Sequence, residues 1–224
     1  MTNTAIYRTA SQINSAMLSV YNNMFLAVVN SMLVSMLVAS SPTLMQFLFT
    51  GAMKWIVIFA PLLMIIVISA GMEKLSRAQA LVSLHVFAAL MGVSFATIFV
   101  VFSIGSIVSA FMSAAVLFAT MSIYGYFTKQ SLDSLGKWMF VGLIAIVVAS
   151  IINIFIGSSV AQMVISCLAI VIFLGLTAYD TQRIRELVSV DCNGNTEVLG
   201  ALTLYLDFIN LFLHLLQLFG GRKE

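Results

Sequence analysis

Charged residues are scarce in this sequence: Asp, Glu, Lys and Arg together make up 8% of its 224 residues, whereas an ordinary soluble domain carries about 25%. A soluble fold with so few charges would have to expose apolar side chains over most of its surface. Hydrophobic residues reach 62%, and the mean hydropathy is +1.11. These values exclude an ordinary soluble domain and predict an integral membrane protein.

Cysteine is equally rare. Cys167 lies in an apolar run and Cys192 in a polar loop, an arrangement that excludes a disulfide framework and a zinc cluster. The net charge of +2 comes without a basic cluster, so no nucleic-acid partner is predicted. The first 22 residues lack the basic start and short apolar core of a cleaved signal peptide. We therefore expect the first apolar run to be retained as a membrane helix.

Seven apolar runs approach or exceed the roughly 20 residues that a helix needs to cross a bilayer. They lack the alternating pattern of a membrane barrel, and lipid leaves no partner for open strands, so helices are predicted. The predicted spans are Met24–Ala39, Trp55–Met72, Leu81–Phe102, Ile107–Phe127, Met139–Ile156, Ala161–Tyr179 and Leu199–Phe219. We expect the first to begin earlier, near Met17, and the second to kink at Pro61. The fold class is all-α, a polytopic membrane protein with a seven-transmembrane-helix bundle.

The basic residues predict an orientation. One side of the membrane receives seven of them: Arg8, Lys74, Arg77, Lys129, Lys137, Arg183 and Arg185. The other side receives three: Lys54, Arg222 and Lys223. Cytoplasmic loops are enriched in Lys and Arg, so residues 1–22 are expected to form a cytoplasmic N-terminal segment. Residues 23–220 then form the seven-helix transmembrane domain and 221–224 a short C-terminal tail, which lies outside unless one span is re-entrant.

Two acids lie where acids are costly. Asp180 ends the sixth apolar run and Asp207 lies inside the seventh, and a carboxylate in hydrocarbon costs several kcal/mol unless it faces the protein interior. An Asn-Gly turn signal at Asn193 and Gly194 separates the two runs, at equal distance from both acids. In an antiparallel helical hairpin equal distance means equal depth, about 20 Å from the loop tip. We therefore expect the two carboxylates to face each other.

Close carboxylates couple their titrations; they share a proton or, once deprotonated, hold a cation. Oxygen ligands suit hard cations such as Ca²⁺, so Asp180 and Asp207 are predicted to form a pH-sensing ion site with Ca²⁺ as the candidate metal. The alternative is a structural role, in which each acid bonds to a nearby basic residue. The possible charge partners are Glu73, Lys74, Arg77 and Arg183. A solvated helix end is an equal explanation for the first three.

Other polar side chains inside the spans receive structural interpretations. Asn153 and Asn210 are expected to form hydrogen bonds between helices. His85 and His214 are expected to be packed or interfacial side chains rather than ligands.

The last two predicted helices contain the most specific motifs. Gly175–Gln182 (GLTAYDTQ) and Gly200–Phe212 (GALTLYLDFINLF) resemble the Bax inhibitor-1 family, the transmembrane Bax inhibitor motif proteins. Ser122–Lys129 (SIYGYFTK) and the loop containing Asp133 are similar to its bacterial branch. The resemblance extends over nearly the whole chain.

This resemblance implies a seven-helix bundle with a central last helix, in the bacterial inner (plasma) membrane. It also implies a pH-sensitive Ca²⁺ leak with two aspartates as sensor and gate, and these match Asp180 and Asp207. In bacterial relatives a basic residue after the second helix can engage the pair, for which Lys74 and Arg77 are the candidates here. Relatives can carry an acid within the second helix, and this sequence has none between Trp55 and Met72.

Three functions compete at this stage. The first is a passive, pH-gated cation leak that is not an enzyme and has no tightly bound cofactor. The second is an intramembrane aspartyl protease, which also needs two aspartates on adjacent helices; however, Asp207 lies in Tyr-Leu-Asp rather than Gly-x-Gly-Asp. The third is a helper that binds and modulates other membrane proteins.

Overall fold

The computed structural model describes residues 8–71, 74–190 and 194–221, with the backbone alone at 69 and 70. Within these residues the chain forms α-helices and no β-strand. The helices are α1 (Ala10–Ala39), α2 (Pro42–Phe49), α3 (Met53–Gly71), α4 (Arg77–Phe95), α5 (Ile98–Val101), α6 (Ile104–Phe127), α7 (Asp133–Ile156), α8 (Ser159–Val190) and α9 (Asn195–Phe219).

Six stretches of helix are long and apolar enough to cross a membrane: α1, α4 with α5, α6, α7, α8 and α9. The pair α2 and α3 makes a seventh if it is counted as one broken span. The predicted all-α polytopic membrane fold is therefore confirmed. In the most apolar part of α9, 67% of the residues are buried, compared with 39% at most in the other candidate spans, as expected for an enclosed last helix.

The second predicted span differs most from the structure. Its helix, α3, is preceded by the short helix α2, and the two are bent by 78° across a break between Phe49 and Met53. Ser41 caps α2 through its side chain, and Pro42 occupies the first turn, where a missing N–H costs nothing. The measured bend falls before Pro61, and α3 continues through that residue. The kink at Pro61 stays a prediction.

Two helices are much longer than their apolar runs. The first helix begins before Met24, as expected, and starts even earlier than Met17, because Thr9 and Gln12 form a capping box that begins it at Ala10. The 30 residues of α1 span about 45 Å at 1.5 Å per residue, which exceeds the roughly 30 Å of hydrocarbon. Hydropathy detects only the part of such a helix that lies in lipid.

Contacts between Cα atoms divide the chain into two compact units. The first contains the described residues up to Phe102 together with Leu187–Tyr205. In this unit α1 packs against α4, so closely that a Cβ at Gly92 would lie 2.5 Å from the Ser31 carbonyl oxygen. The rings of Phe87 and Tyr205 meet edge to face at 5.9 Å.

The second unit contains Ser103–Glu186 and the described residues from Leu206 onward. Phe111 and Phe118 of α6 contact Phe208 of α9 edge to face, with ring centroids 5.3 and 5.7 Å apart. Asn153 of α7 donates to Gln162 of α8 at 3.2 Å, which confirms the hydrogen bond predicted between helices at that residue. Gly157 ends α7 with a φ of +70°, a left-handed conformation that favours glycine.

Candidate cation site

Asp180 lies inside α8 and not at its end. The helix extends beyond the predicted span, which ends at Tyr179, because α8 continues to Val190. Thr181, Ile184 and Val188 form a buried stripe at helical spacing, which stabilises this polar extension as a helix. Since α9 begins at Asn195, the two aspartates lie at similar distances from the connection, Asp180 ten residues before the end of α8 and Asp207 twelve residues after the start of α9.

The structure brings the two predicted acids together. The side chains of Asp180 and Asp207 lie close enough to act on each other electrostatically. Asp207 is 5% exposed, and its Oδ2 atom is buried without a hydrogen-bond partner among the described residues. Asp180 is half-buried. We call these two residues the aspartate pair.

Two glycines allow neighbouring helices to approach α8 just before Asp180. A Cβ at Gly125 of α6 would overlap the carbonyl group of Ala178. A Cβ at Gly136 of α7 would lie 2.5 Å from the ring of Tyr179. Small residues of this kind permit close helix packing in membranes, where apolar burial supplies little driving force. The segment that carries Asp180 is therefore closely packed on two sides, by the backbone of Gly125 against Ala178 and by Gly136 against the ring of Tyr179.

Polar contacts also surround the pair. The hydroxyl groups of Ser122 and Thr181 are buried and 2.9 Å apart, joining α6 to α8 one residue beyond Asp180. Arg183 donates to the hydroxyl of Tyr179 at 3.1 Å, and its positive charge lies near enough to act on the Asp180 carboxylate. Among the predicted charge partners, Arg183 is thus the one with a described electrostatic effect on the pair.

The other predicted partners are placed differently. Arg77 forms a salt bridge of 2.9 Å with Glu197, in the first turn of α9. Lys74 is exposed. Glu73 lies outside the described residues.

In the part of the chain that the structure describes, the pair is not accompanied by a larger ligand cluster. Among the described residues, no group of three or more His, Cys, Asp or Glu side chains is positioned to hold a metal ion. Two carboxylates supply at most four oxygen atoms, whereas Ca²⁺ takes six to eight. A Ca²⁺ ion at the pair would have to complete its coordination with water or with backbone carbonyl groups.

Comparison with known proteins identifies the family. The family model described as inhibitor of apoptosis-promoting Bax1 matches residues 13–224. The chain belongs to the Bax inhibitor-1 family. The resemblance stated from the C-terminal motifs is thereby confirmed. The family match covers both helices that carry the aspartate pair.

Relatives of this family match almost the whole chain. The inner membrane protein YbhL of Escherichia coli (strain K12) is 37% identical over 98% of this chain and 97% of its own length. A protein of Rickettsia prowazekii (strain Madrid E) is 35% identical, covering 93% and 90%. One of Borreliella burgdorferi is 34% identical, covering 94% of each chain. The chain is therefore similar in extent to its bacterial relatives.

The sequence did not reveal a second buried acid. Glu197 is 6% exposed and accepts from Arg8 at 3.2 Å and from Arg77 at 2.9 Å. We call Arg8, Arg77 and Glu197 the Glu197 cluster. Asn195 ties the same region to the Leu75 carbonyl at 2.7 Å. The sequence signal that could have indicated this cluster is an acid shortly after the Asn-Gly turn, in the first turn of the following helix. That signal is not specific, because acids are common at helix starts.

Proposed function

We propose that the protein is a pH-sensitive leak for Ca²⁺ and related cations, with the aspartate pair as sensor and gate. It acts without catalysing a reaction, in the bacterial inner (plasma) membrane, with its N-terminus in the cytoplasm. The observation that carries the proposal is the pair itself. Two carboxyl groups from different helices lie close enough to act on each other, and Asp207 is 5% exposed.

The chemistry of such a pair supports pH sensitivity. Two ionised carboxylates have no hydrogen-bond donor, so a hydrogen bond between them requires a proton on one. When both are ionised their charges repel strongly in a low-dielectric site, and a divalent cation between them relieves that repulsion. Protons and cations therefore compete for the same oxygen atoms. Acidification is expected to lower the occupancy of the site by Ca²⁺.

The small number of oxygen ligands at the aspartate pair favours a site through which Ca²⁺ passes over one that holds Ca²⁺ tightly. A site that conducts must bind an ion well enough to admit it and weakly enough to release it. The aspartate pair provides fewer oxygen atoms than Ca²⁺ prefers, and no third acidic, histidine or cysteine side chain joins it among the described residues. We expect weak binding and rapid exchange of Ca²⁺ at this site.

The test is Ca²⁺ flux into liposomes that contain the purified protein and a calcium-sensitive dye. Asp180→Asn and Asp207→Asn remove each charge while keeping the shape of the side chain, and both are expected to reduce the flux. Asp133→Asn is the matched control, because Asp133 is exposed at the start of α7. Flux that persists unchanged in Asp207→Asn would refute the proposal, provided that an ionophore releases the full dye signal in every preparation.

The pair also keeps a second function open to test. An aspartyl protease activates water with two carboxyl groups that share a proton, and the proximity of Asp180 to Asp207 is the feature that such a function would use. The same preparations, incubated with a model transmembrane substrate, would show cleavage that disappears in both Asn variants. Cleavage without cation flux would favour this function over the leak.

A further inference from the structure

Polar and aromatic side chains connect α8 to α9 beyond the aspartate pair. They lie toward the start of α8 and the end of α9, away from the turn between the two helices. Asp180, Phe173 and Ser166 recur every seven residues along α8. Asp207, His214 and Gln217 follow one face of α9 in the opposite direction, at the spacing that places side chains on the same side of a helix. We call these six residues the seam.

The residues of the seam meet in matched pairs. Asp180 contacts Asp207. The rings of Phe173 and His214 are stacked, with centroids 6.1 Å apart and an interplanar angle of 24°. The hydroxyl of Ser166 donates to Oε1 of Gln217 at 3.1 Å. From Asp207 to Gln217 the seam extends for about 15 Å along α9.

Two atoms of the seam lack the partners that buried polar atoms need. Oδ2 of Asp207 and Nδ1 of His214 are both buried without a hydrogen bond among the described residues. They lie on the same face of α9, about 10 Å apart along the helix axis. Asn210, between them, bonds to the Leu206 carbonyl of its own helix at 2.8 Å, so the bond predicted there between helices was wrong. Buried polar atoms are almost always paired with protein or with ordered water.

The outer end of the seam opens toward the protein surface. Gln217 is exposed, whereas Ser166, its partner, is completely buried. The stacked rings of Phe173 and His214 lie between this end and the aspartate pair. Phe173 is 6% exposed, so its ring is a buried apolar group between the polar side chains at the two ends of the seam.

We infer that the seam is a water-filled route for cations between the aspartate pair and the C-terminal end of α9, with His214 lining it and Phe173 constricting it. This inference rests on the proposed leak and adds the route to it. The unpartnered atoms of Asp207 and His214 are then hydrated. A hydrophobic constriction of this kind controls passage by excluding water. The alternative is that the seam is only a structural contact between α8 and α9, in which case water does not reach its side chains.

Cysteine labelling in liposomes tests the route without depending on flux. In protein carrying Cys167→Ser and Cys192→Ser, His214→Cys is exposed to a charged, membrane-impermeant methanethiosulfonate, and modification is followed by mass. Leu216→Cys is the matched control, because Leu216 is 1% exposed and lies on the opposite face of α9 at nearly the same depth. The reagent attacks thiolates, and cysteines buried in apolar surroundings are inert.

We expect His214→Cys to react at least about tenfold faster than Leu216→Cys, since only the former thiol would meet water. Ser166→Cys changes little volume and is expected to react as well, which provides a second seam position if His214→Cys fails to fold. Equal or absent reaction at His214→Cys and Leu216→Cys overturns the route. If His214→Cys reacts but the parent protein passes no Ca²⁺, the hydrated seam stands and the proposed leak fails.

Flux gives an independent measurement where the leak is active. Phe173→Ala removes the constriction and is expected to raise Ca²⁺ flux several-fold, opposite in sign to Asp207→Asn. Phe118→Ala is the matched control, because Phe118 is 7% exposed and contacts Phe208 instead of the seam. A rise in both variants, or in neither, would contradict a constriction at Phe173.

Discussion

Glu197 is a buried carboxylate held by two arginines of very different exposure, and removing these arginines separately and together tests how the Glu197 cluster stabilises the protein. The side chain of Glu197 is 8% exposed, that of Arg8 14% and that of Arg77 52%. Either arginine alone leaves the carboxylate with one cationic partner. The double variant leaves the buried Glu197 carboxylate without either arginine.

The expected costs follow from these exposures. Arg77→Ala breaks a pair with a half-exposed partner and should cost about 0.5–1 kcal/mol in the free energy of unfolding. Arg8→Ala removes a largely buried, charge-assisted hydrogen bond and should cost about 1.5–2.5 kcal/mol. Arg8→Ala/Arg77→Ala leaves an uncompensated buried carboxylate, for which about 3–5 kcal/mol is typical. The double variant should therefore cost more than the sum of the single variants.

The control removes the charge that the arginines neutralise. Adding Glu197→Gln to the double variant replaces the buried carboxylate with a neutral amide of similar shape, so stability should partly return. The assay is reversible unfolding of the purified protein in mixed micelles, followed by circular dichroism. The interpretation of Glu197 as a charged group that depends on its arginines would be refuted in two cases. In the first, the double variant loses no more free energy of unfolding than the two single variants lose together. In the second, adding Glu197→Gln restores no stability.

Two further predictions follow from helix packing and from the number of spans. Gly125→Val should destabilise the protein by about 1–3 kcal/mol or more by forcing α6 from α8, whereas Gly105→Val, which has open space around its Cβ position, should have a small effect; equal thermal unfolding midpoints would contradict the packing. A periplasmic alkaline phosphatase fused to the C-terminus should be active and a fused green fluorescent protein dark, because seven spans with the N-terminus inside place the C-terminus outside. The reverse result would contradict the combination of seven spans with a cytoplasmic N-terminus.

The pairing of the aspartates was predictable from the sequence, because the relevant geometry is local. Asp180 and Asp207 are equidistant from one turn signal, and an α-helix has a fixed rise per residue. A hairpin therefore sets their relative depth without knowledge of the rest of the fold. Their role as a cation site stays a prediction.

Features that depend on contacts distant in sequence were not predictable. Arg8 and Glu197 are separated by 189 positions and Arg77 and Glu197 by 120, so no local pattern joins them. Predicting the seam would have required the register in which α8 packs against α9, because that register brings Phe173 against His214. Helix α2, before the break between Phe49 and Met53, also escaped prediction, because its eight residues are too few to cross a bilayer.

The most direct test of the central claim is the pH dependence of Ca²⁺ flux in liposomes, measured for the parent protein and for Asp180→Asn/Asp207→Asn. Protons and Ca²⁺ are proposed to compete for the same carboxylate oxygens, so flux through the parent protein should fall as the pH is lowered. The double variant has no carboxylate at the pair, and its residual flux should be low and independent of pH. Parent flux that ignores pH, or a double variant with the same pH profile as the parent, would contradict the assignment of the gate to Asp180 and Asp207.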